Sequence, residues 1–182
     1  MPSFGTVLKP VSIVAFLLSC LSCLLAIIAI SIISWWSEYI NGYRRYHGVW
    51  NLQNCLESNN CASGSATTLE GGQEELFVSK IFATFTALFL VIAVILHIIY
   101  AVVRMSVIRT SSIFMLGSAA LFGLLSIFVF LGFYGNTDPV TNPSIGAAFY
   151  IFLLATILSI AAAGFTIWAS VRKAHDFQVP QE

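Results

Sequence analysis

Four long apolar stretches constrain this chain more than anything else in it: residues 11–34, 77–103, 113–134 and 145–171. None contains Asp, Glu, Lys or Arg except Lys80, one turn into the second. A helix of about 20 apolar residues crosses the hydrocarbon core of a bilayer, and the longer stretches have length to spare for tilt. With 58% hydrophobic and 9% charged residues, the chain lies far from the composition of soluble domains. The reading is a polytopic membrane protein. Four spans and their connections use nearly all of residues 1–182, so we expect a single four-span domain.

Orientation follows from where Lys and Arg fall near the span ends. Lys9, Arg104, Arg109, Arg172 and Lys173 lie on one side, and Arg44, Arg45 and Lys80 on the other. This excess places both termini and the loop 104–112 in the cytosol, with the loops 35–76 and 135–144 outside. The first stretch lacks a small-residue cleavage site and reads as a retained signal anchor. Of the four cysteines, Cys55 and Cys61 fall in the long outside loop, and Cys20 and Cys23 within the first span. An oxidising compartment makes the first two a disulfide, and closing so small a loop contributes about 2 kcal/mol on the chain-entropy account. Cys20 and Cys23 read as small packing residues, because a thiol in hydrocarbon has no base to ionise it.

Lipid tails give helices no hydrophobic reason to associate, so close approach at small residues must do it. Ser19, Ser22, Cys23 and Ala26 share one face of the first span. Ala83 and Ala87, then Gly117, Ala119 and Gly123, then Ala155, Ser159 and Ala163 mark the others. The expected fold class is an all-α membrane protein, a four-helix transmembrane bundle with a small extracellular antiparallel β-sheet. Large aliphatics and many of the fifteen Phe should face lipid. The sheet is expected in the loop 35–76. Asn41-Gly42 is a type I′ hairpin signal between 35–40 and 43–52, two runs rich in aromatic and β-branched residues. The Ser/Thr/Gly-rich 62–72 reads as a mobile tip, and 135–144 as a short ordered turn at most.

Trp36, then Gly48-Val49-Trp50, Cys55, Cys61 and Lys80 occur in an order that resembles the claudin superfamily. That group takes in claudins, peripheral myelin protein and the epithelial membrane proteins, lens-fibre membrane protein and calcium-channel gamma subunits. Phe133-Tyr134, Pro139 and Gly146-Ala147-Ala148-Phe149 are similar to the family's second-loop run, and the resemblance covers the whole topology. In the family the tryptophan of Gly-Leu-Trp seats the sheet on the helices. The chain departs in four places. Val49 replaces Leu, four residues separate Trp50 from Cys55, and the Cys55–Cys61 spacing is short. The terminal run 178–182 is also not the hydrophobic-ended tail by which many claudins dock PDZ scaffolds.

The resemblance implies a plasma-membrane protein at cell–cell contacts. It would self-associate in cis or trans and act in adhesion or in a paracellular barrier such as a tight junction. Two alternatives stay open: an auxiliary, gamma-subunit-like modulator of an ion channel or receptor, and a membrane organiser like the epithelial membrane proteins. Six outer acids, Glu38, Glu57, Glu70, Glu74, Glu75 and Asp138, outnumber Arg44, Arg45 and Lys80. Glu70, Glu74 and Glu75 would favour cations if copies ring a pore. His97, near the cytosolic end of the second span, is expected to be hydrogen-bonded within the bundle. No nucleophile–base spacing, metal-ligand cluster or phosphate-binding glycine loop is present, so neither an enzyme nor a cofactor or nucleic-acid partner is expected. The expected partners are the bilayer, further copies, or a channel or receptor.

Overall fold

The computed structural model describes residues 10–40, 42–56, 61–65, 74–136 and 142–176. Four helices carry the apolar stretches: α1 (Pro10–Ser31), α2 (Glu74–Val103), α3 (Ser106–Gly135) and α4 (Ala147–Asp176). Each is long and apolar enough to cross a bilayer, and the chain is a multi-pass membrane protein. Strands β1 (Trp36–Ile40), β2 (Tyr43–His47), β3 (Asn51–Leu56) and β4 (Cys61–Ser65) lie between α1 and α2, and β5 (Ser144–Ile145) precedes α4. They form one antiparallel sheet in the order β4-β3-β2-β1-β5. The architecture is the expected four-helix bundle with a small sheet at one end.

Small residues draw the helices together, as lipid-buried packing requires. Ser19, Ser22, Cys23 and Ala26 are buried along α1, and Ala155 and Ser159 along α4. Ser22 Oγ donates to the Ala155 carbonyl at 2.8 Å, joining α1 to α4. Between α2 and α3, Ser79 and Ser126 donate to each other's carbonyls, both at 2.9 Å. Gly123 of α3 lies where an added Cβ would come within 2.7 Å of Thr156 Oγ1 on α4. Gly117 differs from expectation. It is exposed, with nothing within 4 Å of where its Cβ would be, and it faces outward because the buried α3 stripe runs through Leu116, Ala119 and Gly123. At the next turn of the α4 stripe it is Ala162 that is fully buried, like Ala155 and Ser159, while Ala163 is only partly buried.

The helix ends also depart from the apolar stretches. α1 stops at Ser31 instead of running to 34, because the chain turns there into the sheet. The Trp35 indole N–H donates to the Ala29 carbonyl at 2.8 Å, satisfying a group of the last turn. α3 begins at Ser106, so the expected loop 104–112 shrinks to Arg104 and Met105, with Arg104 at φ 57°. Nothing in residues 106–112 breaks a helix: the run has neither Gly nor Pro.

The sheet is larger than the sequence indicated. The run 43–52 holds β2 and only the start of β3, which are parted by a turn at 48–50, and the strand at 61–65 takes in the first residues of the expected tip 62–72. Cys55 and Cys61 stand opposite each other in the β3–β4 register and are joined as a disulfide. Cys20 and Cys23 are free thiols. The second loop contributes β5, which pairs with β1 through Trp36↔Ile145 and Ser37↔Ser144. Gly42 holds the hairpin turn at φ +82°, the left-handed conformation that glycine adopts without penalty. Asn41 lies outside the described residues.

Candidate functional site

Alternation along the strands divides the sheet into two faces. Trp36 and Glu38 of β1 share a face with their cross-strand partners His47 and Arg45 of β2. Tyr39 and its partner Arg44 lie on the other face, with Tyr46. The first face is the seat. Trp36 and Val49 belong to one buried cluster with Trp35, Leu76, Phe130, Phe149 and Phe152. Trp35 is its hub, with ring centroids 5.8, 6.2 and 5.1 Å from Phe130, Phe149 and Phe152. Aromatic pairs in this range contribute about 0.5–1.5 kcal/mol each beyond burial. These Phe residues sit inside, under the sheet, and not at the lipid surface expected of many Phe. Phe114 and Phe128 do face outward.

Backbone bonds weld the sheet to the helix ends. Trp35 N–H donates to the His47 carbonyl and Gly146 N–H to the Trp35 carbonyl, both at 2.8 Å. Ala148 N–H donates to the Ser34 carbonyl at 3.0 Å. Two glycines allow this approach. A Cβ on Gly48 would lie 3.0 Å from Ile33 Cα and 3.1 Å from the Asn51 carbonyl oxygen. A Cβ on Gly146 would run into the Ser34 carbonyl. Tyr134 closes the joint, its hydroxyl donating to the Pro143 carbonyl at 2.9 Å.

Polar groups lie within this seat. Glu38 is 9% exposed, His47 2% and Lys80 6%. A carboxylate only accepts, so His47 Nε2–H is the donor to Glu38 Oε1 at 2.9 Å. Arg45 Nη1 lies 3.9 Å from the same oxygen, while its Nε donates to Asn54 Oδ1 at 2.9 Å. The Trp36 ring stacks on His47 with centroids 4.2 Å apart and planes 17° apart, and meets Phe133 edge-on at 5.4 Å. Its Nε1 is buried without a hydrogen-bond partner among the described residues. Burial pushes the His47 imidazole below its ordinary value. Glu38 pulls it up through its hydrogen bond and its charge, and the Arg45 and Lys80 cations push it down.

The structure therefore gathers Trp36, Gly48, Val49 and Lys80 at the seat but leaves out Trp50, which is 37% exposed. The seating role that the resemblance implies for Trp50 is filled here by Trp35 and Trp36, with Val49 beside them in the cluster. Trp35 and His47 escaped the sequence reading. The signal for Trp35 was its place between an apolar span and a β run. None marked His47, whose partner is nine residues away in sequence. Glu38 and Lys80 are buried, which removes them from the exposed charges of the loop. Glu70 lies outside the described residues, as do Glu57, Asp138 and Pro139. Glu74 and Glu75 open α2, and their side chains lie outside what is described.

At the far end of the bundle, His97 Nδ1 is 3.0 Å from the Ala93 carbonyl and 2.8 Å from Ser112 Oγ. Its Nε2 is buried with no partner among the described residues. No group of three or more His, Cys, Asp or Glu among the described residues is placed to hold a metal. What the arrangement offers on the face turned from the bundle is a polar surface of exposed Tyr39 and of Arg44, whose guanidinium carbon lies 5.4 Å from the Tyr46 ring centroid; Tyr43, also exposed, alternates onto the other face. No protein-family model matches the chain, and no curated protein matches it in sequence.

Proposed function

We propose that this chain is a claudin-like protein of the plasma membrane. Both termini face the cytosol, and the sheet makes adhesive contacts with further copies that build a cell–cell junction or paracellular barrier. The observation that supports this most is how the sheet is held. Residues of the family-like motif, Trp36, Gly48 and Val49, anchor it on the bundle, and β5 ties it to the start of α4. A sheet so braced loses little freedom on contact, and pre-organised surfaces bind with less entropic loss. Its free face carries Tyr and Arg, residue types enriched where proteins meet. The test is expression in an epithelial layer that lacks junctions. Transepithelial resistance should rise, or the remaining leak should become charge-selective, and protein that reaches cell borders without either effect removes the proposal.

A second reading, an auxiliary subunit of a channel or receptor, has its own observation. Gly117 and Gly132 of α3 and Gly164 of α4 are exposed, with nothing within 4 Å of an added Cβ. Outward glycines let a partner helix come close. Co-purification with one channel complex, with protein dispersed in single membranes otherwise, would favour this reading over adhesion.

A further inference from the structure

Glu38 and His47 occupy positions on the seated face of the sheet that apolar residues would fill without loss of hydration. A buried charged or hydrogen-bonded pair adds little net stability over an apolar pair of similar volume. It adds instead a dependence on protonation, and histidine is the side chain whose charge changes near neutral pH. The charged groups facing His47 are Glu38 on β1, Arg45 on its own strand and Lys80 on α2. The Trp36 ring covers it at 4.2 Å. The same residue is a structural joint. Its carbonyl accepts from Trp35 N–H, and the Trp35 carbonyl accepts from Gly146 N–H at the start of α4.

We propose that the Glu38–His47 pair is an acid-released latch, which holds β1 and β2 on the bundle while His47 is neutral and lets them lift when the ring takes up a second proton. In the closed state Nε2–H is given to Glu38, so the incoming proton goes to Nδ1. One carboxylate, Glu38, then faces three cations, His47, Arg45 and Lys80, with Glu38, His47 and Lys80 buried and Arg45 part-exposed. Once the strands lift, water solvates the imidazolium and its ordinary value of 6.5 returns. His47 is depressed in the seated sheet, so its contribution is complete above about pH 6.5 and is lost as the pH falls below it. The loss runs to about tenfold in the opening equilibrium for each pH unit, until the seated ring is itself protonated. The latch would act in whichever compartment the sheet faces, and it does not depend on what the sheet contacts.

Hydrogen–deuterium exchange on the full chain in lipid nanodiscs tests this, from about pH 7.5 to about pH 5, with intrinsic exchange rates corrected for. Protection of the β1 and β2 amides should fall relative to α3 as the pH drops below 6.5, by at most about tenfold for each pH unit. His47→Gln keeps a donor for Glu38 without a titrating ring, and its protection should stay flat. Arg45→Gln removes one cation that opposes protonation, so it should blunt the fall while leaving the fold intact. Constant protection in the wild type, or an equal fall in His47→Gln, overturns the latch. If His47→Gln does not fold, an Arg45→Gln profile identical to the wild type overturns it instead.

Discussion

Replacing Gly146 by alanine probes the joint between sheet and bundle with the smallest possible change. The new methyl would overlap the Ser34 carbonyl, so the start of α4 and the link from α1 to β1 must part. Two backbone bonds cross this joint, Gly146 N–H to Trp35 at 2.8 Å and Ala148 N–H to Ser34 at 3.0 Å. Each contributes about 0.5–1.5 kcal/mol when made, and a buried group left without its partner costs about 1–3 kcal/mol. With both bonds stretched rather than abolished, we expect a loss of about 1–3 kcal/mol. For a chain of this size that is roughly 2–12 °C in melting temperature. Cys20 and Cys23 are free in α1, so a thiol-reactive dye in detergent reports unfolding directly. Gly117→Ala is the control, since its methyl meets nothing within 4 Å and gains up to about 1 kcal/mol in helix propensity. If Gly146→Ala melts with the wild type, or shifts no more than Gly117→Ala, the close approach at Ser34 is not what holds the sheet.

Trp36→Ala should cost about 3–5 kcal/mol and deplete surface expression, whereas the exposed Trp50→Ala should do so far less; equal losses would place both in the seat. Ser159, fully buried on α4, tolerates no bulk, so Ser159→Phe should lose about 1–3 kcal/mol by overpacking, and wild-type melting in detergent would mean the α4 stripe faces lipid. Mass spectrometry of the unreduced protein should find Cys55 linked to Cys61, and Cys55→Ser with Cys61→Ser should lower stability by about 2 kcal/mol. Neutralising Glu70, Glu74 and Glu75 together should weaken any cation preference of the junctional leak. Raised salt should do the same, because exposed charges act over about 8 Å at physiological ionic strength; a preference untouched by either places selectivity elsewhere.

The spans were legible because crossing a bilayer demands a long apolar run, and that demand is local in the chain. The disulfide was legible for a similar reason: two cysteines close in sequence within one loop. The hairpin at Gly42 could be read from a dipeptide. The third, fourth and fifth strands could not. β4 is rich in Ser and Gly and has no β propensity to reveal it, and the two-residue β5 exists only because β1 offers it an edge. Trp50 carries the more recognisable motif, yet it lies exposed while Trp35 fills the core.

By itself, then, the amino-acid order determines that this protein spans a bilayer four times, with one long polar loop bridged by Cys55 and Cys61. Burial in hydrocarbon depends on composition along a window, and so does the turn chemistry of a hairpin. Which side chains meet is another matter. Trp35 finds Phe130, Phe149 and Phe152 on two other helices. Ser34 meets Gly146 from more than a hundred residues away. Glu38 and His47 become a buried pair only because the β1–β2 register sets them on one face and the bundle then covers that face. Such contacts depend on helix order and strand register, which the folded chain settles as a whole, so the chemistry of the seat was decided by tertiary structure alone.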